Sequence, residues 1–163
     1  QGVQIGPVAE ARQLEQNLQY LQLAAEEGAT LVEGGELLAL EPAGHYMRPA
    51  LFINSHNDMR ISREEVFGPI ACVIRVSDYE QALAVLNDTE YGLTAGIITQ
   101  SLRHASDFKR RARTGCVMVN LPTAGTDYHV PFGGRKASSF GFFFKDPATT
   151  EIYTVVKTTY VRP

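Results

Sequence analysis

Residues 62–69 read Ser-Arg-Glu-Glu-Val-Phe-Gly-Pro, and an apolar run, Ile-Ala-Cys-Val-Ile-Arg-Val, follows at 70–76. Glu64 and Glu65 are adjacent carboxylates, Phe67 is flat, and Gly68-Pro69 makes an abrupt bend. Ionisable and aromatic groups therefore stand at the mouth of a buried strand, where an accessible loop is held by a rigid scaffold and a cofactor can be contacted. The plainer alternative is a pair of solvated charges with Phe67 filling the core. Further along, Asn120 closes the apolar run Cys116-Val117-Met118-Val119, and Pro131-Phe132-Gly133-Gly134-Arg135-Lys136 follows a polar loop. Cys72 and Cys116 lie in apolar, strand-like runs. They read as small buried hydrophobes of a reducing, cytoplasmic compartment, and neither is expected to be a nucleophile.

The flanking sequence supplies elements to position these groups. Val8, Ala11, Leu14, Leu18, Leu21 and Ala25 recur at steps of three or four before Gly28, predicting an amphipathic helix that exposes Glu10, Arg12, Glu15 and Gln19. Residues 29–33 and 49–54 read as strands, the first closed by Gly34-Gly35 and the second entered by Pro49. After the strand at 70–76, Ser77 and Glu80 have capping-box spacing, and Ala82, Val85 and Leu86 give the next helix a core face, ending near Asn87-Asp88. A strand at 93–99 precedes Ser101, the cap of a helix whose Leu102, Ala105, Phe108 and Ala112 are expected to face inward. Lys109, Arg110, Arg111 and Arg113 suit the negative end of that helix dipole; phosphate binding is the alternative.

Strand, helix, strand, helix, strand from 70 to 120 is the alternation of a parallel sheet, so the expected class is α/β. Ligands of such sheets gather at the carboxyl ends of the strands, which selects the loop 121–130. Asp146-Pro147 resembles the start of a short helix. Residues 153–161, rich in β-branched and aromatic side chains, read as a final strand that needs either a partner chain or the edge of the same sheet.

At 163 residues, 44% apolar and 20% charged, the composition is that of an ordinary globular domain. A net charge of -3 argues against a nucleic-acid partner, and no apolar run approaches a membrane span. No metal site is read. The chain starts with Gln1 and has no Met before Met47, which reads as a piece of a longer protein or a processed product.

Four motifs occur in one order: Glu-Glu-Val-Phe-Gly-Pro at 64–69, Asn-Asp-Thr-Glu-Tyr-Gly-Leu-Thr-Ala-Gly at 87–96, Gly-Cys-Val-Met-Val-Asn at 115–120 and Pro-Phe-Gly-Gly-Arg-Lys at 131–136. Together they resemble the C-terminal part of the aldehyde dehydrogenase superfamily, from about Gly6 to Val161. The resemblance implies a partial catalytic domain over residues 1–145, an open, mostly parallel sheet with flanking helices. It also implies a short helix and an oligomerisation strand over 146–163 that would make the protein a homo-oligomer. Aldehyde oxidation in the family uses a thiolate nucleophile, hydride transfer to NAD or NADP, and a glutamate base that activates water.

The family's Phe-x-x-x-Gly-Gln-x-Cys pattern is not in this sequence, so the nucleophile and the base are expected upstream of Gln1 and the isolated chain is expected to be inactive. By resemblance, Glu65 accepts hydrogen bonds from the nicotinamide ribose hydroxyls, as a carboxylate can accept from both at once. Phe67 packs near the ribose and nicotinamide, and Glu64 makes structural contacts. Asn120, Thr123, Gly125, Tyr128 and Phe132 would border the aldehyde, with His129 able to reach a polar substrate. Residues 119–125 and 127–136 look most like enzymes that oxidise the semialdehyde of 2-oxoglutarate, 2,5-dioxopentanoate. One departure is Phe140-Gly141-Phe142-Phe143-Phe144-Lys145, where relatives continue into an Arg-Glu pair. Two other readings are a non-catalytic assembly module and a relative that forms acyl-CoA or acyl phosphate.

Overall fold

Helix α1 (Ala11–Glu26) starts later than its apolar spacing suggests and turns a different face inward. Val8 is still loop, its amide donating to the His45 carbonyl at 2.9 Å. The buried positions are Asn17 and Ala24, with Tyr20 and Leu21 packed beside them, whereas Ala11 and Ala25 are exposed. Positions 17, 20, 21 and 24 form one helical stripe. Counting aliphatic residues alone omits the amide and the phenol and so rotates the face. Past the C-cap, Gly28 adopts φ +99, a backbone conformation open to glycine, and the chain turns into the first strand.

The computed structural model describes residues 5–125, 127, 129–140 and 153–162. They fall into two units, Gln1–Ser77 and Asp78–Pro163. In the first, β1 (Thr30–Glu33), β4 (Ala50–Ile53) and β5 (Ile70–Cys72) form a sheet in the order β1-β4-β5, β1 antiparallel and β5 parallel to β4. Between them β2 (Leu37–Leu38) and β3 (Tyr46–Met47) make a small antiparallel ribbon. The core is Ala24, Ala29, Ala50, Phe52, Met59 and Ile61. A one-turn helix not foreseen from the sequence, α2 (Arg60–Arg63), starts under a long-range cap: the Glu27 carboxylate accepts from the Arg60 amide at 3.0 and 3.1 Å.

The second unit contains α3 (Tyr79–Asn87), β6 (Tyr91–Gly92), β7 (Thr94–Ile97), α4 (Leu102–Arg111), β8 (Cys116–Val119) and β9 (Arg135–Lys136). The cap of α3 sits one residue later than expected. Asp78 is the N-cap, its Oδ1 accepting from the Gln81 amide at 2.8 Å. Ser101 caps α4 as expected, its hydroxyl accepting from the His104 amide at 3.2 Å. Phe108 and Ala112 join Leu83 and Ala95 in the core. Leu102, expected inward, is 85% exposed. Helical side chains lean toward the N-terminus, and from the first position that carries Leu102 off the core.

Strands β7 and β8 pair in parallel from Thr94↔Cys116 to Ile97↔Val119, with α4 as the crossover. The mixed α/β class therefore holds, in small open sheets. The expected parallel pairing is found within each unit. β5 pairs with β4, the strand next to it along the chain, and β7 with β8. Strand β9 pairs antiparallel with β6. Residues 153–161, expected as a strand, form none in the described structure, and Val155, Val156 and Tyr160 are exposed. Extended propensity alone does not make a strand without a neighbouring backbone. The 145/146 boundary, the helix expected from Asp146 and the Phe142-Phe143-Phe144 run lie outside the described residues. No helix among the described residues is long and apolar enough to cross a membrane.

Candidate functional site

In the first unit the loop between α2 and β5 is fastened at both ends. At its start the Glu64 amide donates to the Arg60 carbonyl at 2.8 Å. At its end the Pro69 carbonyl accepts from the Ala50 amide at 2.8 Å, joining the loop to the sheet. The two adjacent acids then part company. Glu64 accepts from the Tyr20 hydroxyl at 2.6 Å and is clamped by Arg60 at 2.8 and 3.1 Å. The Arg60 bonds, then the Tyr20 bond, hold its carboxyl below the usual carboxylate range. Glu65 is exposed and has no hydrogen bond or ion pair among the described residues. Its oxygens are open to a ligand's hydroxyls.

Phe67 is 75% exposed and stands at φ +55, in the left-handed region that a bulky residue rarely adopts. It does not fill the core, which removes that part of the plainer reading. With Pro69, Ile5, Pro7, Val8 and Gln13 it lines a mostly apolar hollow of about 510 Å3. An exposed carboxylate thus stands two residues from a presented aromatic ring that borders an apolar recess, groups able to accept from hydroxyls and to pack on a flat ring.

The second unit carries the residues expected at the substrate. Asn120 ends β8 at φ +57, and its amide engages Thr99 twice, Oδ1 accepting from the Thr99 amide at 2.8 Å and Nδ2 donating to the Thr99 carbonyl at 2.9 Å. Asn120 thus ties the end of β7 to the end of β8 and fixes where the loop 121–130 leaves the sheet. Thr123 lies over Gly96: a Cβ there would be 3.0 Å from the threonine methyl. Gly125 turns the exposed loop at φ +80. Asp127 Oδ1 meets His129 Nδ1 at 2.7 Å and accepts from the His129 amide at 3.0 Å, so the imidazole has a fixed orientation. Tyr128 lies outside the described residues. Phe132 is half-buried, and the segment after it is pinned to α3, because Lys136 Nζ donates to the Asn87 and Thr89 carbonyls at 2.9 Å each. Gly115 and Gly133 come so close that a Cβ on Gly115 would overlap the Gly133 carbonyl.

The thiols behave as strand residues. Cys72 is half-buried beside β4, and burial pushes its thiol up, against a smaller pull from the Ser55 hydroxyl. Cys116 pairs with Thr94. The basic end of α4 is largely compensated: Arg111 binds Glu80 at 2.7 and 2.8 Å and Asp107 at 3.0 Å, and Arg110 reaches Asp107 at 3.5 Å. Lys109, Arg110 and Arg111 lie in the last turn of α4, the location that the helix-end reading requires.

A model of the aldehyde dehydrogenase family matches residues 1–159. The chain belongs to the aldehyde dehydrogenase family. It is 42% identical over 160 residues to the alpha-ketoglutarate semialdehyde dehydrogenase of Haloferax volcanii, covering 96% of this chain and 33% of that protein. It is 37% identical over 163 residues to the alpha-ketoglutaric semialdehyde dehydrogenase of Bacillus subtilis, covering 99% and 33%. Among solved structures it resembles the P. syringae indole-3-acetaldehyde dehydrogenase in complex with NAD+ and IAA, with a TM-score of 0.87 at 36% identity over 98% of this chain and 32% of that one. The chain thus spans about a third of the length of these dehydrogenases.

Several residues that build this dehydrogenase loop escaped the sequence reading. Tyr20 and Glu27 reach α2 and Glu64 from α1, and Gln13 Nε2 donates to the Val66 carbonyl at 2.9 Å. The i,i+4 spacing of Arg60 and Glu64 was the available signal for α2, since such a pair supports a helical turn.

Proposed function

We propose that this chain is the C-terminal part of an NAD(P)+-dependent aldehyde dehydrogenase that oxidises a small acidic semialdehyde to a carboxylate. The observation that carries the reading is an exposed Glu65, without a partner among the described residues, two positions from an exposed Phe67 held in a strained backbone conformation. In this reading Glu65 accepts from the nicotinamide ribose hydroxyls, and Phe67 flanks the ring and excludes water from one side. The cofactor, when bound, supplies the hydride acceptor. Asn120, Thr123, Gly125, Tyr128 and Phe132 belong to the wall that borders the aldehyde. The nucleophilic thiolate and the base come from a part of the enzyme outside this chain, so the chain alone is inactive, and its home is a reducing, cytoplasmic compartment. Two relatives named for alpha-ketoglutarate or alpha-ketoglutaric semialdehyde support the acidic substrate. Exposed apolar side chains along 154–162 support assembly into a homo-oligomer through that tail.

The test is NAD(P)+ reduction by the full-length dehydrogenase that carries this chain. It is to be run on 2,5-dioxopentanoate and on an uncharged aldehyde of equal length. The expected result is at least a ten-fold higher kcat/KM for the acidic substrate, the discrimination that one charge-assisted contact gives. No turnover of either aldehyde would overturn the assignment, and equal turnover would remove the acidic specificity.

A further inference from the structure

We propose that Gln13 and Asn17 are positioning residues for the cofactor-contacting loop, acting through Val66 and Gly68 to hold Phe67 where it can flank the nicotinamide. The proposal rests on the reading of Glu65 and Phe67 given above. A non-glycine residue in the left-handed region relaxes to extended backbone unless its surroundings prevent it. Phe67 is in that region, so the question is what constrains the peptide units on either side.

On the N-terminal side, Gln13 Nε2 donates to the Val66 carbonyl at 2.9 Å across 53 residues of sequence. On the C-terminal side, Gly68 lies flat against Asn17: a Cβ on Gly68 would be 2.5 Å from Cγ, Oδ1 and Nδ2 of that side chain. The two α1 amides are themselves joined, Gln13 Nε2 to Asn17 Oδ1 at 2.9 Å, one turn apart on the same helix face. They act as a clamp closed on the residues that flank Phe67.

Asn17 carries a second indication. It is fully buried, yet its Nδ2 has no hydrogen-bond partner. An unsatisfied buried donor destabilises the fold, and leucine has nearly the same shape without that penalty. A core position that holds an amide against stability is explained by what its oxygen and its shape do, which is to fix Gln13 and admit Gly68.

The experiment compares Gln13→Met, Gln13→Lys, Asn17→Leu, Glu65→Gln and Phe67→Ala in the full-length dehydrogenase, reading Kd for NAD+, KM for aldehyde, and Tm. Gln13→Met keeps length and helix propensity and deletes the donor. Loss of that bond lowers the fraction of loops in the competent conformation and raises the apparent Kd for NAD+ about five-fold, with aldehyde KM near wild type, unfolding still cooperative and Tm only modestly lower because two acceptors lose their donor. Gln13→Lys restores an N–H donor of similar reach and recovers most of the affinity. Asn17→Leu weakens NAD+ binding while Tm holds or rises, opposite directions that a purely structural role does not produce. If Glu65→Gln and Phe67→Ala weaken NAD+ binding but the Gln13 and Asn17 variants do not, the clamp is refuted and the cofactor reading stands. If Glu65→Gln and Phe67→Ala leave Kd unchanged, the cofactor reading fails and takes the clamp with it. Gln13→Met and Asn17→Leu proteins that lose cooperative unfolding would make both residues structural and overturn the proposal as well.

Discussion

Removing the Tyr20 hydroxyl should cost stability in a way that depends on pH, and the structure sets both the size and the window. Tyr20→Phe keeps the ring packed on the core and removes the hydroxyl, with its 2.6 Å contact to Glu64 Oε2. A hydrogen bond to an ionised group contributes about 1.5–3 kcal/mol. The Glu64 side chain is 38% exposed, and solvent screening brings the expected loss down to about 1 kcal/mol at pH 7. Because the folded-state carboxyl of Glu64 is depressed, its contribution is complete above the unfolded value near 4.3 and fades as pH falls through the lower folded value. The assay is urea unfolding of wild type and Tyr20→Phe at pH 7, 5 and 3. The gap should persist from pH 7 to 5 and narrow as pH falls below the unfolded value. A gap that stays constant at every acid pH at which the protein still folds would refute the assignment of the bond to an ionised Glu64. So would a Tyr20→Phe/Glu64→Gln double mutant whose loss is the plain sum of the two singles.

Phe52 is fully buried at the centre of the first unit, so Phe52→Ala should destabilise by about 3–5 kcal/mol in the same assay; a loss under 1 kcal/mol would move the core elsewhere. Burial pushes the Cys72 thiol up, so alkylation of Cys72 by iodoacetamide at pH 7.5 should run at least about ten-fold slower than that of a free model thiol, and labelling at the free rate would contradict its placement beside β4.

What could be read from the sequence is what neighbouring residues decide among themselves. Ser101 announces α4 because the hydroxyl and the amide it satisfies are three residues apart, and the basic last turn follows from the helix dipole acting on adjacent side chains. Gly28 stops α1 for an equally local reason. The failures are long-range. The inward face of α1 depends on Tyr20 and Asn17 finding partners at residues 64 and 68, which no periodicity contains. Helix α2 is too short to be periodic, and Glu27, which caps it, lies 33 residues away. The tail from 154 has strand propensity, yet propensity does not supply the second backbone that a strand requires.

The site divides along the same line. Residue type singled out Glu64, Glu65 and Phe67, and only the family resemblance divided the two acids. The fold divides them physically, by bringing Arg60 and Tyr20 onto Glu64 and leaving Glu65 without a partner among the described residues. Phe67 makes the sharper case. A left-handed backbone position is relaxed with glycine or asparagine and strained with phenylalanine, so local preference argues against this residue at this place. A conformation that local physics opposes persists because tertiary contacts enforce it, which is the reason to test what the presented ring does. The conflict between the residue and its backbone therefore marks the site more specifically than the motif did, and it is visible only once φ is known.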